Sequence, residues 1–121
     1  MIELSPLPKT WIFDVDGTLV IHNGHLKGCD ILLPGVKEAF HKIPVTDKII
    51  LMTARGEEHK EALQKFLLEN DIRFDTILFG MPTGERILVN DRKPSGLVTA
   101  VAINKNRDSK LELDFVINED L

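Results

Sequence analysis

Disulfides, a basic field and a membrane span are all missing from this chain of 121 residues. Cys29 is the single cysteine, so no internal disulfide framework is possible. Lys and Arg number 15 against 19 Asp and Glu, a formal net charge of −4. That balance provides no global attraction for nucleic acid or an anionic membrane surface. No apolar run approaches the roughly 18 residues that cross a bilayer. The opening Met1-Ile2-Glu3-Leu4-Ser5-Pro6 lacks the basic start and apolar core of a signal peptide, which points to the cytoplasm. Repeats, low-complexity tracts and linkers are also absent.

What is present is an ordinary globular mixture, 43% hydrophobic and 28% charged, long enough for one domain over 1–121. Lys9 to Phe13 reads as a strand, its Trp11-Ile12-Phe13 run suiting burial on both faces. Residues 17–33 hold three glycines and read as a flap, with a hairpin around Asn23-Gly24. Pro34 suits the first position of a helix. Val36, Ala39, Phe40 and Ile43 then follow at helical spacing, and Pro44 ends it. Lys48 to Met52 is a second strand. Gly56 to Glu69 is a second helix, with Glu57 and Glu58 at its positive end and Leu63, Phe66 and Leu67 facing inward. Further strands are expected at 76–79, 87–89 and 99–103. The alternation of Leu111, Leu113, Phe115 and Ile117 suggests an edge strand or a partner-facing segment.

Strands alternating with helices imply an α/β fold with a mainly parallel, five-stranded central sheet. Ligands bind such sheets at the carboxyl ends of the strands. The polar residues following strands here are Asp14 and Asp16, then Thr53 and Arg55, then Asn90 and Asp91. Asp14 and Asp16 matter most. Side chains two apart in an extended segment lie on one side. Two carboxylates held that way repel unless a cation or proton sits between them, and a hard divalent ion such as Mg2+ suits them. Several of these residues also have plainer readings. Thr53 can cap the second helix, Asn90-Asp91 can be a turn, and Arg55 is either solvated or phosphate-facing. His22 and His25 are either exposed flap residues or substrate contacts. Cys29 reads as a packing residue.

Asp14-Val15-Asp16-Gly17-Thr18, Leu51-Met52-Thr53 and Asn90-Asp91 together resemble three motifs of the haloacid dehalogenase superfamily of phosphohydrolases, over roughly residues 9–104. The resemblance implies a Rossmann-like three-layer core and a Mg2+-dependent phosphatase acting on a small phosphorylated metabolite, such as a sugar phosphate. Within it, Asp14 resembles the nucleophile that forms an aspartyl-phosphate. Asp16 resembles the general acid and also a metal ligand through its carbonyl. Asp14, Asp16 and Asp91 would hold the metal, with Asn90 behind them. Thr53, Ala54 and Arg55 would bind phosphate. Two departures stand out. Where many small members carry a lysine, Gly80-Met81-Pro82-Thr83-Gly84 places Met81, so Arg86, Lys93 or Arg55 must supply the charge. Without it, the chain resembles a weak phosphate- and metal-binding or regulatory module. No insertion is long enough for a cap domain, so the chain resembles the capless subgroup. Such open sites are closed by a macromolecular substrate or by a neighbouring subunit in a dimer or tetramer.

Overall fold

Trp11 and Phe13 leave the first long strand on one side and Ile12 on the other, because side chains alternate along an extended backbone. In the computed structural model, which describes all 121 residues, that alternation decides the packing. Strand β1 covers Ile2–Leu4 and β2 covers Thr10–Asp14. Helix α1, Val36–His41, leads to β3, Lys48–Met52. Helix α2, Lys60–Glu69, leads to β4, Thr76–Leu78, and β5 is Phe115–Ile117. Strands β2, β3 and β4 form a parallel sheet in that order, while β5 pairs with β1 in a separate parallel pair. The protein is thus α/β with parallel sheets of three and two strands.

Trp11 and Phe13 stand beside Ile49 and Leu51 in register. Phe13, Ile49 and Leu51 are buried in one core with Val36, Ala39 and Phe40 of α1 and Leu63 and Leu67 of α2. The rings of Phe13 and Phe40 lie 4.7 Å apart, which fixes α1 against the sheet. Leu63 and Leu67 are fully buried, and truncating either to alanine would cost about 2–5 kcal/mol. Asp47 ties the start of β2 to β3. It accepts from the Lys9 N–H at 3.0 Å and from Trp11 Nε1 at 2.9 Å.

Four expectations need correction. The five-stranded sheet is not formed, because 87–89 and 99–103 run as irregular backbone. Ile87 and Val89 are 86% and 90% exposed, so nothing rewards ordering them into strands. Their absence leaves β2 at the edge of its sheet, with Ile12 46% exposed, so this strand is buried on one face and not both. Helix α1 begins two residues after Pro34, with Gly35 as its N-cap at φ 85°. Glycine is required there, since a Cβ would strike the carbonyl oxygen of Leu111. The flap is hairpin-like only at its base, where Val20 bridges Leu32. Its tip is a 3₁₀ turn, Gly24–Lys27, entered through left-handed Asn23.

The C-terminal alternation is used in part within the chain, with β5 pairing to β1 while Ile117 stays 36% exposed. Leu111 and Leu113 enter the core, and Phe115 packs 5.4 Å from Trp11. No helix is long and apolar enough to cross a membrane.

Candidate functional site

Asp14 pairs in register with Met52, so 15–17 and 53–55 leave two neighbouring parallel strands side by side. Val15 N–H donates to the Met52 carbonyl and Thr53 N–H to the Leu78 carbonyl, which carries the alignment past the strand ends. This placement joins Asp16 to Thr53 and Arg55. Thr53 is fully buried, and its hydroxyl donates to Asp16 Oδ2 at 2.8 Å. Thr53 Oγ1 in turn accepts the Arg55 N–H at 3.1 Å. Arg55 Nε and Nη2 both donate to Asp16 Oδ1, at 3.0 and 2.8 Å.

Arg55 also grips the flap. Nη1 and Nη2 donate to the two oxygens of Asp30, at 3.0 and 2.7 Å. Its side chain is 3% exposed. Burial alone pushes the guanidinium pKa down, but the hydrogen bonds to Asp30 and Asp16 outweigh it, and the net direction is up. Arg55 is therefore neither solvated nor free to face phosphate. It is the buried centre of an Asp16–Arg55–Asp30 triad.

Asp14 is set differently. Thr18 Oγ1 donates to Asp14 Oδ2 at 3.2 Å, and Arg86 Nη2 lies 3.7 Å from Oδ1. Arg86 is braced by Nη1, which donates to the Pro82 and Gly84 carbonyls at 2.6 and 2.9 Å. Met81 is fixed nearby by its N–H to the Thr53 carbonyl and brings no charge. Burial raises the pKa of the Asp14 carboxyl. The Thr18 hydrogen bond and the Arg86 charge oppose this without cancelling it. The N–H groups of Asp16 and Ala54 make no hydrogen bond within the protein, although each sits just beyond a strand end. Unpaired amides at adjoining strand tips are suited to an anion.

The remaining expected residues lie elsewhere. Asn90, Asp91 and Lys93 are exposed on irregular backbone. Asn90 Nδ2 donates to Thr99 Oγ1 at 2.8 Å, Thr99 Oγ1 donates to the Asp91 carbonyl, and Lys93 N–H donates to the Leu97 carbonyl. None has an ion pair or hydrogen bond with Asp14 or Asp16. A divalent ion held by Asp14, Asp16 and Asp91 needs their oxygens at one point, and no three acidic, histidine or cysteine side chains converge to hold a metal. Asp16 has both oxygens engaged already. As placed, these residues do not fit the ion.

Other residues enter the site unannounced by any motif. Asp30 and His25 come from the flap, with His25 Nδ1 4.0 Å from Asp16 Oδ1. Lys105 Nζ donates to the Gly17 carbonyl at 3.1 Å, and Asp108 N–H donates to the same oxygen at 2.9 Å. Asp108 Oδ1 in turn accepts the His22 N–H at 2.8 Å. The 105–108 turn thereby staples the Asp14–Thr18 loop to the base of the flap. Thr18 stood in the Asp14–Thr18 motif and His22 and His25 were named as possible flap contacts, whereas Asp30, Lys105 and Asp108 had no local signal. In comparisons with known proteins, no family model, curated protein or solved structure matches this chain.

Proposed function

We propose that this chain hydrolyses phosphate monoesters of a small metabolite, with Asp14 as nucleophile, on a capless core like that of the haloacid dehalogenase superfamily. The observation carrying this reading is the setting of Asp14. It stands at a strand tip, part exposed, beside a braced Arg86 and next to the unpaired N–H groups of Asp16 and Ala54. A carboxylate attacks phosphorus only when cationic and N–H groups offset the repulsion between two anions. Arg86 then does the work that Met81 cannot. In the first step an Asp14 oxygen bonds to phosphorus in line with the leaving oxygen, whose bond to phosphorus breaks. Asp16 gives a proton to that leaving oxygen and, in the second step, takes one from the water whose oxygen bonds to phosphorus as the Asp14–phosphorus bond breaks, releasing inorganic phosphate. Both Asp16 oxygens are engaged, so substrate entry must first draw the Thr53 hydroxyl away, leaving it free to donate to a phosphoryl oxygen.

The test is phosphate release from an aryl phosphate by the native chain and by Asp14→Asn. Release by the native chain with loss in the variant is the expected result. Equal release would remove Asp14 from the reaction. The variant should stay folded, because the carboxyl pKa is raised. The folded state then binds more protons than the unfolded one between pH 3.8 and the raised value, and above that window ionised Asp14 costs stability. Removing the charge gives a neutral to positive change in Tm at pH 7.

A second reading, a phosphate-binding or regulatory module without turnover, is favoured by Met81 and by the full engagement of Asp16. It expects inorganic phosphate to raise Tm while no ester is cleaved.

A further inference from the structure

Behind Asp16, between the flap and α2, lies a cavity of about 260 Å³. His25 and Asp30 of the flap form one wall, His59 and Phe66 the other, and Arg55 joins them. Two of these residues, His25 and Arg55, also meet Asp16 directly. Asp16 is the residue that serves the leaving oxygen, and through His25 and Arg55 it borders this opening.

We propose that the cavity receives the leaving group of the phosphate ester and selects an uncharged group about one ring in size. The proposal rests on the phosphatase reading above. Size is the first argument. Sites that enclose drug-sized ligands begin near 300 Å³, and this cavity falls below that limit. That size suits a leaving group of about one ring better than a larger one. Charge is the second. Arg55 is the cavity's one guanidinium, and Asp16 and Asp30 consume it. Asp30 is likewise spent on Arg55. Neither Arg55 nor Asp30 can answer a second phosphate or an ammonium group without breaking this buried ion pair, which is strongly unfavourable.

Shape is the third argument. The rings of His25 and His59 meet edge to face, 4.9 Å apart at 81°, and Phe66 adds an apolar face. Such a surface suits the flat side of a ring. His25 Nδ1 is also the one buried side-chain polar atom without a hydrogen-bond partner. Buried polar groups are nearly always paired, and a ligand hydroxyl or ester oxygen reaching between His25 and Asp16 would pair this one.

Ala62 lines the cavity from the exposed side of α2, so Ala62→Trp fills the space without touching the core. The probes are phenyl phosphate, which carries one neutral ring, and methyl phosphate, which carries none. Ala62→Trp should raise KM for phenyl phosphate at least tenfold and leave kcat/KM for methyl phosphate within twofold. Cys29 gives a readout independent of turnover, since it lines the same cavity and is the only thiol. Phenyl phosphate should slow its alkylation by iodoacetamide at least threefold in the native chain and not in Ala62→Trp. Cleavage of both esters with equal effects of the variant, or with Cys29 unshielded, overturns the cavity's assignment and leaves the phosphatase reading intact. Shielding of Cys29 by phenyl phosphate and not by methyl phosphate, without cleavage of either, overturns the phosphatase reading and upholds the cavity as a site for a single neutral ring. Neither shielding nor cleavage overturns both.

Discussion

Replacing Arg55 by methionine removes the one cation between two buried carboxylates. The side chains of Asp16 and Asp30 are 13% and 8% exposed, so water can do little for either once the guanidinium is gone. Four charge-assisted hydrogen bonds disappear together, and two like charges are left facing one another. Breaking a buried pair by deleting one partner costs about 3–5 kcal/mol. Set against a total stability of about 5–15 kcal/mol for a domain, Arg55→Met is expected to lower Tm by on the order of 10–20 °C. Urea denaturation at pH 7 measures the loss, and an unchanged slope would show that the unfolded state is not the cause. The accompanying control is the triple change Arg55→Met, Asp16→Asn and Asp30→Asn. It leaves no bare charge and should recover most of the loss, because the penalty belongs to the unpaired carboxylates and not to the absence of the pair. A single Arg55→Met variant within about 0.5 kcal/mol of the native chain would refute the reasoning, since that is the range of ordinary surface substitutions.

Three other outcomes follow from the same geometry. Arg86→Met should lower kcat by about 10²–10³, the scale for losing one charge-stabilising donor, while stability changes by no more than about 1 kcal/mol because the lost hydrogen bonds go to carbonyls of the exposed 82–84 loop; equal kcat in both proteins would remove Arg86 from the site. Thr53→Val strips Asp16 Oδ2 and the Arg55 N–H of a partner and should cost about 1–3 kcal/mol, whereas a neutral result in thermal unfolding would mean that those groups find others. Burial, helped by the Arg55 charge, lowers the His25 pKa below 6.5, and the Asp16 charge only partly offsets this. The unfolded chain therefore binds more protons just below pH 6.5. Stability falls as pH drops through that window, by at most about 1.4 kcal/mol per unit, and His25→Gln should flatten the slope. An identical pH profile in the variant would show that His25 is not the group responsible.

Local chemistry was enough to locate the strand tips. Strand β3 was legible to the residue, and β2 to within one, because KIILM and TWIFD combine β-forming side chains with flanking polar residues. Asp14 and Asp16 were readable because their separation by one residue is a local fact, whereas Arg86 was one of three basic residues named through the resemblance, and only the packed chain brings it to Asp14. The α-helical core of the second helix was shorter than its pattern, since residues 57–59 tighten into a 3₁₀ turn before α2.

The sequence by itself determined the alternation of strands and helices, the inward stripes and the acidic pair, all consequences of backbone periodicity and near neighbours. Tertiary structure alone decided what those acids meet. Asp30 lies 25 residues from Arg55, and Lys105 lies 88 from Gly17, distances over which no periodicity carries information. It also decided that the apolar triplet at 87–89 stays outside the sheet and that Arg55 spends its charge within the protein. A strand needs a partner edge and a guanidinium needs an acceptor, and which edge or acceptor comes within reach is fixed only when the whole chain has packed.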